Sequence, residues 1–406
     1  MTPPCVTKLN ARTLTRKNKN NIPKLVQCLR TQCAPATPKP CWLRSGQPLS
    51  EGVNIHGYFL SEIGLGESAR LVHAALAGQN IAVAACNRFL DGRQNDDRFR
   101  HQISETAPYN ISLSVDGLLG FRRLRHQICK KKHNIAYPFW ELETLPKKYV
   151  EYLKRFDSIW AASTFVYETM RSHGLENDDL IKHPLLIPAS KPDFLLSNDS
   201  LRILFFFDFD SFPARKNPEA AINAFKQAFK NQRDVRLTVK TRGDRDLGRR
   251  QWLMEQSAAD PRIHVLDKTL TREEMTKLMV NHDVFLSLHR SEGLGLGCAE
   301  ALAAGKIVVA TDYSGTTDFV NEKTGFPVAW RRIPVAADEY VLAENASWAD
   351  PSVDDAAAQL RAIYDNPSAA SLRAQEGYTL LVANHSLSVV GRGMRDALSR
   401  DGLIRQ

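Results

Sequence analysis

Apolar residues along the chain gather into short runs, and most runs are followed by a stretch with helical spacing. In the first half "NIHGYFL" (54–60) predicts a strand, followed by a glycine turn and the helical "ESARLVHAALAG". "IAVAAC" (81–86), "NISLSV" (110–115) and "HNIAYPF" (133–139) predict further strands, the last leading into the helical "PKKYVEYLKRF". "SIWAAS" (158–163) and "HPLLIP" (183–188) complete this half, with the helix "FVYETMRSHG" between them. The polar, proline-containing "ASKPDFLLSNDS" (189–200) reads as a linker.

The alternation then restarts. Strands are expected at "RILFFFDF" (202–209), "VRLTVKT" (235–241), "IHVL" (263–266), "VFLSL" (284–288) and "IVVAT" (307–311), with helices between them. Helices resume over 353–364 and 369–384, and "VVGRGMRDALSR" closes the chain. Continuous apolar strands separated by helices are the mark of a parallel sheet covered on both faces. The expected fold is α/β, with two doubly wound, Rossmann-like domains at 51–190 and 200–384. Residues 385–406 are expected to pack back on the first domain. Such a pair places a ligand cleft between the carboxyl ends of both sheets.

A length of 406 residues agrees with two domains rather than one core. The net charge of +9 changes the picture only once it is located. Residues 1–50 hold nine Lys or Arg and no Asp or Glu, so the remainder is neutral overall. That argues against a body that binds nucleic acid. For the tail two readings stand: a solvated, disordered arm, or a peripheral contact with anionic lipid at the inner face of a membrane. No apolar run has the length of a bilayer span. Seven cysteines occur without a CxxC pair or a Cys/His grid, so no zinc site is expected, and the body reads as reduced and cytosolic.

Candidate chemistry centres on "HRSEGLGLGCAEALAAGK" (289–306), a strand–glycine loop–helix stretch with glutamates at 292 and 300. Glycines let a backbone approach a ligand, and the helix start offers free N–H groups to an anion. A dinucleotide loop is one reading, with Gly293 and Gly295 opening it and Asp312 ending the next strand. Against it, Cys298 stands where the third glycine belongs, and Glu292 would repel a pyrophosphate. The alternative uses both acids. Carboxylates accept hydrogen bonds from pairs of hydroxyls, so Glu292 can grip a sugar and Glu300 a ribose, with the loop amides between them.

"SEGLGLGCAE" resembles the E-x7-E motif of retaining, nucleotide-sugar-dependent glycosyltransferases of family four, which have the GT-B fold. "GYFLSEIGLGESAR", "YPFWELETLP", "IWAASTFV", "RKNPEAAINAFKQAF" and "YSGTTDFVNEKTGFPV" are similar to members that build bacterial surface polysaccharides. The resemblance implies transfer of a hexosyl group, mannosyl favoured, from a GDP- or UDP-linked donor to a glycan or lipid-linked acceptor, with neither metal nor other cofactor. It implies that Glu292 binds donor-sugar hydroxyls and Glu300 the ribose. Gly293, Leu294, Gly295 and Leu296 would supply backbone donors, and Lys216 would neutralise the diphosphate. The family's usual arginine falls on Ser211, so the second cation is Arg215, Lys240 or Arg242. Gly64 and Gly66 resemble the loop that closes on the donor. Asp116, ending a strand, is a catalytic candidate on the acceptor side, with a helix cap as the plainer reading. Trp140 and Glu141 lie at a similar strand end. A non-catalytic nucleotide-sugar-binding protein is the remaining alternative.

Overall fold

The computed structural model describes residues 49–194, 196 and 200–405. The basic tail expected over 1–50 lies outside them except for Leu49 and Ser50. In chain order the first half comprises β1 (Ser50–Gly57), α1 (Gly64–Ala77), β2 (Val83–Asn87), β3 (Tyr109–Gly117), α2 (Phe121–Leu124), β4 (His133–Phe139), α3 (Lys147–Leu153), β5 (Ser158–Ala161), α4 (Thr164–Ser172) and β6 (Asp178–Leu180). The second comprises β7 (Leu201–Phe206), α5 (Pro213–Lys216), α6 (Pro218–Ala228), β8 (Val235–Thr241), α7 (Leu247–Ala259), β9 (Ile263–Asp267), α8 (Arg272–Val280), β10 (Val284–Ser287), α9 (Leu296–Ala303), β11 (Ile307–Thr311) and β12 (Phe326–Val328). A hairpin, β13 (Trp330–Pro334) and β14 (Ser347–Pro351), and three helices, α10 (Val353–Asp365), α11 (Pro367–His385) and α12 (Leu387–Arg400), follow.

Two six-stranded sheets result, ordered β2-β1-β3-β4-β5-β6 and β12-β11-β10-β7-β8-β9. Every strand pair within them is parallel. The strand order therefore reverses between β1 and β3 in one sheet and between β7 and β10 in the other. At such switch points the loops leaving the carboxyl ends diverge, and a crevice opens.

The strands are buried because both faces of each sheet are covered. Ile203, Phe205, Leu237, Val239 and Leu286 pack under α6 and α10. Leu204, Phe285, Val308 and Ala310 pack on the other face with Leu302 and Leu381. Each such side chain contributes about 1.5–3 kcal/mol by leaving water. In α12, Val390, Met394, Ala397 and Leu398 recur at helical spacing and are buried with Val53, Ile55 and Val72 of the first half. The last helix thus sits on the first sheet, although it follows the second. A further core joins Trp140, Leu145 and Tyr149 of the first half to Tyr313, Tyr340 and Trp348 of the second.

Three local expectations are corrected. "HPLLIP" is not a strand: it makes a single bridge, Leu185 to Ser386. Pro184 and Pro188 carry no N–H for a ladder, and the polar Asp178–Leu180 forms the sheet edge instead. The strand expected at 81–86 runs from Val83 to Asn87. Cys86 and Cys298 are free thiols, whereas Cys129 is disulfide-bonded, so a fully reduced body is not what the structure shows.

Candidate functional site

The second switch point gathers the richest chemistry. The loop after β10 carries Glu292, and the chain after β7 turns through Phe212, at φ 50°, into the short helix α5 with Arg215 and Lys216. Glu292 is buried, and both of its oxygens are engaged. One pairs with Lys216, and the other is 2.6 Å from Nη1 of Arg215. Arg215 is buried as well and donates to the Ser291 carbonyl at 2.9 Å. Its second terminal nitrogen lies 3.8 Å from Glu141. Burial alone would raise the Glu292 carboxyl, but the Arg215 and Lys216 charges outweigh it and hold the group well below the usual carboxylate range. The carboxylate is ionised at any working pH. Lys216 is the more accessible partner, with its side chain 24% exposed against 7% for Arg215.

The glycine loop follows directly. Gly295 adopts φ +83° and caps α9, a conformation that disfavours any residue with a Cβ. Gly293 lies so close to the first half that a Cβ would stand 2.8 Å from the Trp140 carbonyl. Its own carbonyl accepts a 2.6 Å bond from Ser163, the N-cap of α4. Among the described residues no acceptor bonds the amides of Gly293, Leu294, Gly295, Leu296 or Gly297. Unbonded amides at a helix start attract anions. Leu294 contributes only backbone here, since its side chain is buried in the core. His289 and Cys298 support the loop from beneath. Burial lowers the His289 imidazole to about 4 and pushes the Cys298 thiol up to about 12, so both are neutral.

Glu300, one turn into α9, accepts a 2.5 Å bond from Arg272 at the start of α8. Burial raises its carboxyl, and Arg272 opposes the rise. Arg272 also lies 3.8 Å from Glu67, in the first turn of α1. Glu67 is gripped by Arg70 and Arg98, each at 3.0 Å. Gly64 and Gly66 occupy the same turn, at the switch point of the first sheet.

Lys240 lies one residue before the end of β8, buried, and its amine has no hydrogen-bond or ion-pair partner among the described residues; burial and the neighbouring Arg242 lower that amine to about 8. Arg242 is held by Asp208 at 2.8 Å. Asp208 and Asp210 also receive Arg93 from the first half, at 3.1 and 2.6 Å.

Asp116 ends β3 but caps no helix through its side chain. It is buried in an ion pair with Arg88, and the Tyr58 hydroxyl lies 3.4 Å away. Burial raises its carboxyl and Arg88 opposes this. Trp140 is a packing residue, buried with its ring nitrogen bonded to the Thr144 carbonyl at 2.9 Å. Glu141 receives the Tyr340 hydroxyl and, on its carbonyl, the Ser291 hydroxyl.

The structure therefore brings Glu292, Arg215, Lys216 and the glycine loop into one group. It places Glu300, Asp116 and Lys240 in separate charged clusters at neighbouring strand and helix ends. Arg88, Arg93, Arg272 and Glu67 were missed in the sequence. Only Glu67 carried a signal, as an acid in the first turn of a helix.

Residues 201–342 match a family model described as glycosyl transferases group 1. No curated protein matches the chain. Among solved structures the chain is similar to the lipopolysaccharide outer core galactosyltransferase WaaB in its apo form. Identity is 12%, coverage 86% of this chain and 99% of that one, and the TM-score 0.61. It is similar to Anabaena Alr3699/HepE in complex with UDP and glucose, at 12% identity, 86% and 100% coverage and a TM-score of 0.58. It also covers 70% of itself on TarM, at 14% identity and a TM-score of 0.53, and spans about half of that protein's length, 54%. The two parallel sheets thus have the GT-B fold of these structures, and residues 201–342 are similar to the group 1 family.

Proposed function

We propose that the protein is a retaining glycosyltransferase that moves a hexosyl group, mannosyl favoured, from a nucleotide-diphosphate sugar to a hydroxyl of a glycan or lipid-linked oligosaccharide. One observation carries the reading. At the β7/β10 switch point an ionised carboxylate, Glu292, stands beside Lys216 and five unbonded amides at a helix start. The group 1 match over the same residues supports it. The HepE and TarM neighbours have been solved with UDP, so UDP-sugars belong in the first assays beside GDP-mannose.

In this reading Lys216 exchanges its bond to Glu292 for the donor diphosphate, whose oxygens also take the amides of Gly293–Leu296. Arg215 stays on Glu292 and keeps it ionised and aimed at the sugar hydroxyls. Glu300, released from Arg272, accepts the ribose diol. Positioned charge then stabilises the departing diphosphate as the glycosyl cation develops, and each such donor lowers the barrier by ~3 kcal/mol. The leaving phosphate takes the acceptor proton on the face where the new bond forms, which preserves configuration. No step in this scheme calls on a metal. Asp116, closed onto Arg88, shapes the acceptor side rather than moving a proton.

The test is nucleoside diphosphate release from GDP- and UDP-sugars by the wild type, Glu292→Gln and Lys216→Ala. Both variants are expected to fall at least about a hundredfold in turnover and to keep a cooperative thermal transition. Glu292→Gln is preferable to Ala, because stripping the partner from a buried arginine costs about 3–5 kcal/mol. Turnover within about tenfold of wild type in both variants would remove the mechanism.

A further inference from the structure

The hairpin of β13 and β14 lies outside both large sheets, yet its residues converge on the Glu292 site. Ala349 of β14 donates its amide to the Arg290 carbonyl at 3.0 Å, and Arg290 donates in turn to the Arg215 carbonyl at 2.7 Å. The Arg290 side chain bonds Glu339 at 3.1 Å, with its guanidinium 5.6 Å over the Trp348 ring. Tyr340, in the connection between the two strands, is buried. Its ring packs on Phe212 at 4.9 Å and on Trp140 of the first half at 5.6 Å. Its hydroxyl donates to Glu141, also of the first half. Burial, and then the Glu141 charge, raise that hydroxyl well above the usual phenol range, so it stays a donor.

Glu141 thus gives one oxygen to Tyr340 and turns the other toward Arg215, 3.8 Å away. Arg215 stands between two carboxylates, one from each half: Glu292 on one terminal nitrogen and Glu141 on the other. Burial opposes the Arg215 charge, and these two acids more than restore it. Its Nε has no partner among the described residues. With Lys216 the group balances, two cations against two acids. A diphosphate upsets that balance. The two cations are adjacent in the chain, and a guanidinium fork suits phosphate as well as carboxylate. If Arg215 followed Lys216 onto the diphosphate, Glu292 would be left a buried charge without a cation, which is costly. A second carboxylate on its other terminal nitrogen holds Arg215 back.

We infer that Glu141, oriented by Tyr340, is a positioning residue of the donor site: it keeps Arg215 on Glu292 when a nucleotide sugar binds, so the grip on the sugar depends on a side chain of the first half. The inference rests on the glycosyl-transfer reading. Calorimetric titration with UDP and GDP, and with UDP-glucose and GDP-mannose, tests it. Glu141→Gln keeps the size of the side chain and removes its charge. This variant should bind the nucleoside diphosphate as tightly as wild type or more tightly, because Arg215 is freed to reach it. Its affinity for the nucleotide sugar, relative to the diphosphate, should fall at least about tenfold, and donor hydrolysis should slow by about tenfold. Tyr340→Phe keeps the ring packing and should show the same change at about threefold. The double variant should lose no more than Glu141→Gln alone, since the hydroxyl acts through the carboxylate. Additive losses overturn the inference. So does parallel weakening of diphosphate and sugar with a lowered thermal midpoint, which assigns the pair a packing role. If the wild type binds a nucleotide sugar and both single variants match it, glycosyl transfer stands and only this inference falls. If the wild type binds none of the four nucleotides, both fall.

Discussion

Lys240 shows how a single buried cation exposes its role to measurement. Its amine lies near the end of β8 beside Arg242 and Asp208, and burial first, then Arg242, lowers it to about 8 from 10.5 in the unfolded chain. Between those values the unfolded state holds more protons, so stability rises with pH across that window. Below about pH 8 the full cost of charging the buried amine opposes folding. Lys240→Met removes that cost. The variant is therefore expected to be more stable than wild type by ~1–3 kcal/mol at pH 7, with the gain fading as pH rises from 8 to 10.5. Urea denaturation at pH 7 and pH 10 measures it. If the cation also meets the donor diphosphate, the same variant binds nucleoside diphosphates more weakly by thermal shift. A gain that stays constant with pH would show that packing, not charge, limits this position.

Among elements, the loop between β10 and α9 is the most constrained. Gly295 at φ +83° sits with its missing Cβ 2.3 Å from the Thr316 methyl. Gly295→Ala meets both backbone strain and a steric clash, and is expected to cost about 1–3 kcal/mol and to weaken donor binding together. Ser163 caps α4 and also holds the Gly293 carbonyl, so Ser163→Ala removes two bonds with one oxygen. It should cost about 1–2 kcal/mol in chemical denaturation; a loss below a few tenths would show that water replaces both bonds. These elements differ in how legible they are. "VRLTVKT", "IVVAT" and "HNIAYPF" form the strands their apolar runs predict, because both faces of each are buried. Asp178–Leu180 and the hairpin of Trp330–Pro334 with Ser347–Pro351 were not visible, since edge and surface strands carry polar residues that mimic loops. At the site the glycine loop and its glutamates announce themselves by spacing. Other charged pairs nearby do not: Arg272 meets Glu300 across 28 positions, and Arg93 reaches Asp208 across 115. Long-range ion pairs leave no periodic trace in a chain, so only the fold reveals that Lys216 rests on Glu292.

At the scale of the whole molecule, the two sheets are tied to one another by more than their linker. The chain crosses from the first half to the second through 181–200 and returns at His385–Ser386, where Leu185 donates to the His385 carbonyl at 2.7 Å. The shared core around Trp140, Tyr340 and Trp348 lies between the same halves. Arg93–Asp210 and Arg332–Glu143, at 2.6 and 2.7 Å, add charged ties. Such coupling predicts one cooperative transition rather than two. Met394 of α12, fully buried against the first sheet, tests this from the end of the chain farthest from that sheet in sequence. Met394→Asp places an unpaired carboxylate in that core and should lower the thermal midpoint by about 5–15 °C. The transition followed by tryptophan fluorescence in a variant that keeps only Trp140 and Trp160, both in the first half, should move together with that followed by nucleotide-dependent stabilisation of the second. If the second half instead melts at its wild-type temperature while the first is lost, the shared core does not couple them. The C-terminal helix would then serve the first sheet alone.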